Sequence, residues 1–179
     1  MKTALLVIDV QNALCSGEYA AFESQRVIAR INQVSAKARQ AGAPVFLIQH
    51  ETKNGLLDPG THGWKLAEGL VVEEEDVIVG KTATDSFHQT ELEGLLQSHG
   101  VKQLVICGLQ SDFCVDTTTR RALGLGYPVT LVSDAHSTLD NGILTAAQIS
   151  AHHTATLANI TSFGPRVTPT TAAELHIEA

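Results

Sequence analysis

Short runs of β-branched and aliphatic residues alternate along the chain with stretches whose apolar positions recur every three or four residues. The first run, Ala4-Leu5-Leu6-Val7-Ile8, is unbroken and stops at Asp9, the pattern of a strand buried on both faces of a parallel sheet. From Glu23 to Ala41 the period becomes helical. Val27, Ile31, Val34, Ala38 and Ala41 fall on one face, and Gly42 is placed to end the helix. Pro44-Val45-Phe46-Leu47-Ile48 restarts the strand pattern. The same criteria predict strands at Val77-Ile78-Val79, ending at Gly80-Lys81, at Leu104–Cys107, at Pro128–Val132 and at Ile160–Phe163.

Between them lie three further helices. One opens at Thr90-Glu91-Leu92-Glu93, which has capping-box spacing, and closes at Gly100. A second runs from about Cys114 to Leu125, and an Ala-rich third from Leu144 to Leu157. Thr168 to Leu175 is expected to form a last helical turn or two. Strands alternating with helices predict an α/β fold, a parallel sheet covered on both faces. The irregular stretch from His50 to Gly69, with Asn54-Gly55, Asp58-Pro59-Gly60 and Gly63, is long for a loop, and such loops usually carry function. No repeat, low-complexity segment or linker divides the chain, so residues 1–179 are expected to form one domain.

Composition narrows the function. Apolar residues make up 44% of the 179, enough for a substantial core. Twelve Lys and Arg against 19 Asp and Glu leave a net charge of −7, with no basic cluster to meet a phosphate backbone. Five Phe, two Tyr and one Trp are too few for a base-stacking platform, so nucleic acid is not an expected partner. No apolar run approaches the roughly 20 residues needed to span a bilayer, and Met1 to Val10 lacks a signal-peptide cleavage pattern. Three cysteines do not make a disulfide framework. They fit a cytoplasmic protein in which each thiol either packs or reacts.

In open α/β sheets, sites lie beyond the carboxyl ends of the strands. The residues just past the predicted strand ends are Asp9, His50, Lys81, Gly108 to Cys114, and Asp134 with His136. An acid, a base and a thiol therefore meet at one sheet edge, which is a catalytic inventory. Each also has an ordinary explanation: a helix cap for Asp9, a solvated surface residue for Lys81, packing for a cysteine. Cys107, between Ile106 and Gly108 in a central strand, fits packing well, and Cys15 in the loop after the first strand is open between packing and lining the site. Cys114 differs, because it falls in the first turn of a helix, where unpaired N–H groups and the dipole are expected to lower a thiol pKa.

These residues carry a resemblance. Leu5-Leu6-Val7-Ile8-Asp9-Val10-Gln11-Asn12, the isolated Lys81 in Val79-Gly80-Lys81, and Gly108-Leu109-Gln110-Ser111-Asp112-Phe113-Cys114-Val115-Asp116-Thr117-Thr118 resemble the three signatures of the isochorismatase-like cysteine hydrolases. Gly126-Tyr127-Pro128-Val129 and Val132-Ser133-Asp134-Ala135 also match, so the resemblance runs from Ala4 to about Phe163. It implies a three-layer α/β/α sandwich on a six-stranded parallel sheet, a homo-oligomer (dimer or tetramer), and an Asp-Lys-Cys triad of Asp9, Lys81 and Cys114. It further implies an oxyanion hole from the backbone N–H groups of Gln110 and Cys114, with a cis peptide at Leu109–Gln110.

Two departures bear on the substrate. Nicotinamidases of this superfamily carry a metal-binding Asp-x-His pair after the second strand, where this chain has Gln49-His50-Glu51-Thr52, so no metal or other cofactor is expected. Isochorismatases that cleave a vinyl ether generally lack the nucleophilic cysteine. Cys114 thus points to hydrolysis of an amide or carbamoyl C–N bond in a small molecule. Gln11, His50, Trp64 and Phe87 are candidate substrate contacts. Trp64, the single tryptophan, either stacks on substrate or packs under its own loop, and Phe87 suits the core better than the pocket. The alternatives are a vinyl-ether hydrolase and a non-catalytic ligand-binding module, the latter disfavoured because no Gly-x-Gly-x-x-Gly or Walker-type loop follows a strand.

Overall fold

The aliphatic runs form strands because both of their faces are covered. In the computed structural model, which describes residues 2–178, they are β1 (Thr3–Ile8), β2 (Val45–His50), β3 (Val77–Lys81), β4 (Gln103–Leu109), β5 (Val129–Ser137) and β6 (Val167–Thr170). The helices are α1 (Asn12–Cys15), α2 (Ser24–Gln40), α3 (Leu92–Ser98), α4 (Asp116–Gly124) and α5 (Ala146–Ala158). All strand pairs are parallel, in the order β3-β2-β1-β4-β5-β6.

The unbroken β1 run hides a period of two. Ala4, Leu6 and Ile8 pack on one face with Leu92, Leu96, Ala122 and Leu157, which α3, α4 and α5 supply. Leu5 and Val7 pack on the other face with Val27, Ile31, Val34 and Ala38 of α2. The result is the expected three-layer α/β/α sandwich. The expected single domain, 1–179, includes Met1 and Ala179, which lie outside the described residues. No helix among the described residues is long and apolar enough to cross a membrane.

Three local expectations fail. The Thr90–Glu93 capping box does not form: the Thr90 hydroxyl donates to the Ser86 carbonyl and accepts from the Leu92 N–H only at 3.4 Å, and Glu91 precedes the helix without a side-chain cap. The reciprocal capping box forms instead between Thr145 and Gln148, at the start of α5. The sixth strand is not Ile160–Phe163 but Val167–Thr170, in a stretch expected to be helical. Pro169 sits there because β6 is an edge strand, where a missing N–H breaks no central ladder.

The third difference shapes the site. β5 does not stop at Val132 but runs to Ser137, so Asp134 and His136 lie within it. Between the Ile106–Leu131 and Gly108–His136 pairs, β4 advances two residues and β5 five. That bulge delivers His136 beside the end of β4. On the other side of β4, Gly108 lies against Ile8 with φ of +116°, and a Cβ there would come within 2.1 Å of the Ile8 carbonyl oxygen. Only glycine permits this approach. The chain crosses from β3 over to β4 on the far side of β1, so the ends of β1 and β4 form the topological switch point where such sheets place their sites.

Candidate active site

Asp9 leaves β1 at φ +52°, a left-handed conformation uncommon outside glycine, and its side chain is buried beneath the switch point. Lys81 ends β3, two strands away, in register with His50 of β2. Its buried side chain reaches back, bringing Nζ to 2.8 Å from Asp9 Oδ2. Nζ also lies 2.8 Å from His50 Nδ1, 3.0 Å from the Ala83 carbonyl oxygen and 3.3 Å from Cys114 Sγ. An ammonium has three hydrogens for these four acceptors, so the sulfur, the most distant, competes for a shared one. His50 Nδ1 must accept from Lys81, which assigns its own proton to Nε2.

Cys114 lies in a single π-helical turn, Ser111–Val115, that runs straight into α4. The Leu109–Gln110 peptide before it is cis. The thiol departs from expectation. Burial, reinforced by the Asp9 carboxylate, pushes Cys114 up to about 12, outweighing the pull of Lys81. Burial and the carboxylate thus favour the protonated thiol. Burial also raises Asp9 above the ordinary carboxylate range, against the opposing attraction of Lys81. Oδ2 is held by Lys81, and the Cys114 thiol beside the carboxylate also opposes the rise. Burial and then Lys81 hold His50 below its usual value, which fits the neutral ring.

Asp9, His50 and Cys114 place an oxygen, a nitrogen and a sulfur within 4.8 Å of one another, a donor set of the kind that binds metals. Lys81 Nζ is already within hydrogen-bond distance of all three side chains.

The cluster forms the floor of a cavity of about 330 Å³, with His50 and Gln110 beside Asp9 and Cys114. Its walls are Leu14 of α1, Leu56 and Leu57 of the long loop, and Phe113 of the π-turn, with Thr52 and Thr84. Of the four candidate substrate contacts, the structure brings only His50 to this wall. Gln11 is fully buried: its amide nitrogen donates to the carbonyls of His50 and Trp64, and its oxygen accepts from the His50 N–H. It ties the end of β2 to the loop instead of meeting a ligand. Trp64 is half-buried outside the cavity lining, its carbonyl also accepting from Gln49. Phe87 is buried in the core, its ring stacked on Tyr127 with centroids 6.4 Å apart. Cys15 packs on the α2 side with Cys107, away from the cavity, and burial pushes its thiol up to about 12.

Sequence reasoning missed two things. The apolar wall carries no periodicity, because its residues come from three separate segments. The support beneath the Ser111–Val115 turn is half visible, since His136 falls near a predicted strand end but has no task there. His136 is buried, with Nδ1 2.7 Å from Ser111 Oγ and Nε2 2.9 Å from Thr154 Oγ1, and Ser111 Oγ lies 2.9 Å from Ser150 Oγ. Thr138 Oγ1 donates to Asp112 Oδ1 at 2.6 Å. The bulged β5 and α5 thus hold the turn from behind.

Known proteins share this fold. The Isochorismatase domain family model matches residues 3–172. A streptothricin hydrolase from Streptomyces noursei is 44% identical over 138 residues, 76% of this chain and 50% of that protein, so the match spans about half the relative's length. The ureidoacrylate amidohydrolase RutB of Stutzerimonas stutzeri is 30% identical over 75% of this chain and 69% of its own. The crystal structure of an isochorismatase family protein superposes with a TM-score of 0.86 at 40% identity, covering 95% of this chain and 98% of that one. This chain belongs to the isochorismatase family of hydrolases.

Proposed function

We propose that the protein hydrolyses an amide or carbamoyl C–N bond of a small molecule through a thioester on Cys114. The observation that carries this reading is Lys81 Nζ, bound to Asp9 and within 3.3 Å of the Cys114 sulfur on the floor of a cavity. Two relatives named as hydrolase and amidohydrolase support the reaction class.

Asp9 is the base. The thiol proton passes to the carboxylate, whose burial has made it a stronger base than a solvated one. The Lys81 N–H for which the sulfur competes turns toward it as the thiol proton leaves and negative charge builds there, and the sulfur then attacks the carbonyl carbon. Backbone N–H groups of Gln110 and Cys114 receive the oxyanion. Collapse breaks the C–N bond, and the proton held on Asp9 goes to the departing nitrogen. Asp9, again a carboxylate, then takes a proton from water, which attacks the thioester and returns the thiol. Nucleophile, base and cation all come from the chain, so this route needs no cofactor.

The test is a panel of small amides and carbamoyl compounds assayed for ammonia release, with intact-protein mass spectrometry after rapid acid quench. The wild type should release ammonia and accumulate an acyl adduct on Cys114. Cys114→Ala should do neither, and undiminished turnover by that variant would refute the thioester route.

A further inference from the structure

Given the cysteine-hydrolase reading above, we infer that the substrate is a compact, uncharged amide whose acyl group is apolar. The cavity volume, about 330 Å³, is at the low end of the roughly 300–1,000 Å³ range of small-molecule sites, so a short branched chain or one ring fills it. Its walls, Leu14, Leu56, Leu57 and Phe113, converge from α1, the long loop and the π-turn. They offer hydrocarbon to whatever lies above the nucleophile.

The cavity also has no charge to spare. Among the described residues Asp9 is the only carboxylate lining it, and its partner is Lys81. His50 is neutral through its bond to Lys81, leaving one N–H donor at Nε2. Thr52 is committed to the loop, donating to Asp58 Oδ1 and accepting from the Leu57 N–H. A substrate carboxylate would enter without a cation, and a substrate ammonium without a free anion. Burying an unpaired charge is costly, so both are selected against. The inference separates this chain from the named activity of one relative, because ureidoacrylate is an anion.

Isosteric pairs test it. 4-Methylpentanamide and succinamate have nearly the same shape, with a branched alkyl end in one and a carboxylate in the other. Pentanamide and 4-aminobutanamide form the matching cationic pair. The neutral member of each should be hydrolysed with kcat/KM at least about 30-fold higher. In Leu56→Arg, a change at a half-exposed cavity residue, the ratio for the anionic pair should fall at least about tenfold while that for the cationic pair does not. Wild-type preference for either charged amide, with turnover still lost in Cys114→Ala, would overturn the apolar class and leave the hydrolase reading standing.

Absence of turnover on every amide would count against the hydrolase reading, and a binding readout then decides the specificity. An aldehyde adds reversibly to a thiol, forming a C–S bond while the thiol proton moves to the carbonyl oxygen. 4-Methylpentanal should protect Cys114 from iodoacetamide at a concentration at least about tenfold below that of succinate semialdehyde. Equal protection, or better protection by the anion, would overturn the inference.

Discussion

Cys107 and Cys114 are neighbours in sequence, on either side of the end of β4, and both are buried. Burial raises both thiols. The Cys107 sulfur, fully enclosed on the α2 face of the sheet, meets the Leu6 carbonyl oxygen at 3.7 Å, a weak contact with a group that will not take its proton. The Cys114 sulfur meets an ammonium, has a carboxylate within 4.8 Å, and lies on a cavity. Burial alone therefore produces an inert thiol. What makes a nucleophile is a base to accept the proton, a cation to stabilise the product, and room for a carbonyl.

The sharpest way to break this contrast is to remove each sulfur in turn. Cys114→Ala should lower kcat/KM by roughly 1,000-fold or more, about 4 kcal/mol of transition-state stabilisation, with urea melts little changed. Substituting the cation tests whether the polar floor is also structural. Lys81→Met leaves the Asp9 carboxylate buried and unpaired and should cost about 3–5 kcal/mol in urea unfolding. Adding Asp9→Asn should restore most of that stability but none of the activity. A melt in which Lys81→Met equals the wild type would show that the pair is not desolvated as its burial indicates.

The support behind the Ser111–Val115 turn has its own signature. Burial lowers His136 from 6.5 to about 4, so the folded state holds it neutral while the unfolded chain binds a proton. Its contribution is complete above pH 6.5 and is lost as pH falls toward 4, about 3 kcal/mol in all. His136→Gln should flatten that part of the stability–pH curve, and an unchanged slope would assign the acid sensitivity elsewhere. The smallest effect belongs to the inert sulfur. Cys107→Ala should cost about 1 kcal/mol in stability and leave kcat/KM within about twofold.

How much of this could be read beforehand varies by residue. Asp9, Lys81 and Cys114 were legible because each follows a recognisable strand, and strand ends in a parallel sheet share an edge. Gln11 was misread as a substrate contact for the same reason, whereas Phe87, also a candidate, took the core place that its residue type favours. Nearness to the edge says nothing about whether a side chain turns to the cavity, to the core, or back onto a carbonyl. β6 was misplaced because its Pro169 reads as a break until the strand is known to lie at the edge.

The order of strands and helices, the two-faced burial of β1 and the convergence of acid, lysine and thiol were determined by the sequence itself. They follow from local periodicity and the fixed polarity of a parallel sheet, which any stretch of chain carries with it. Only the tertiary structure decided that the Cys114 thiol is pushed up instead of down, that His136 lies beneath the turn, and that an apolar wall stands over the site. Each of these depends on desolvation and packing by residues distant in sequence, such as Asp9 beside Cys114 and Leu14 near Phe113, and no local pattern records what will exclude the water.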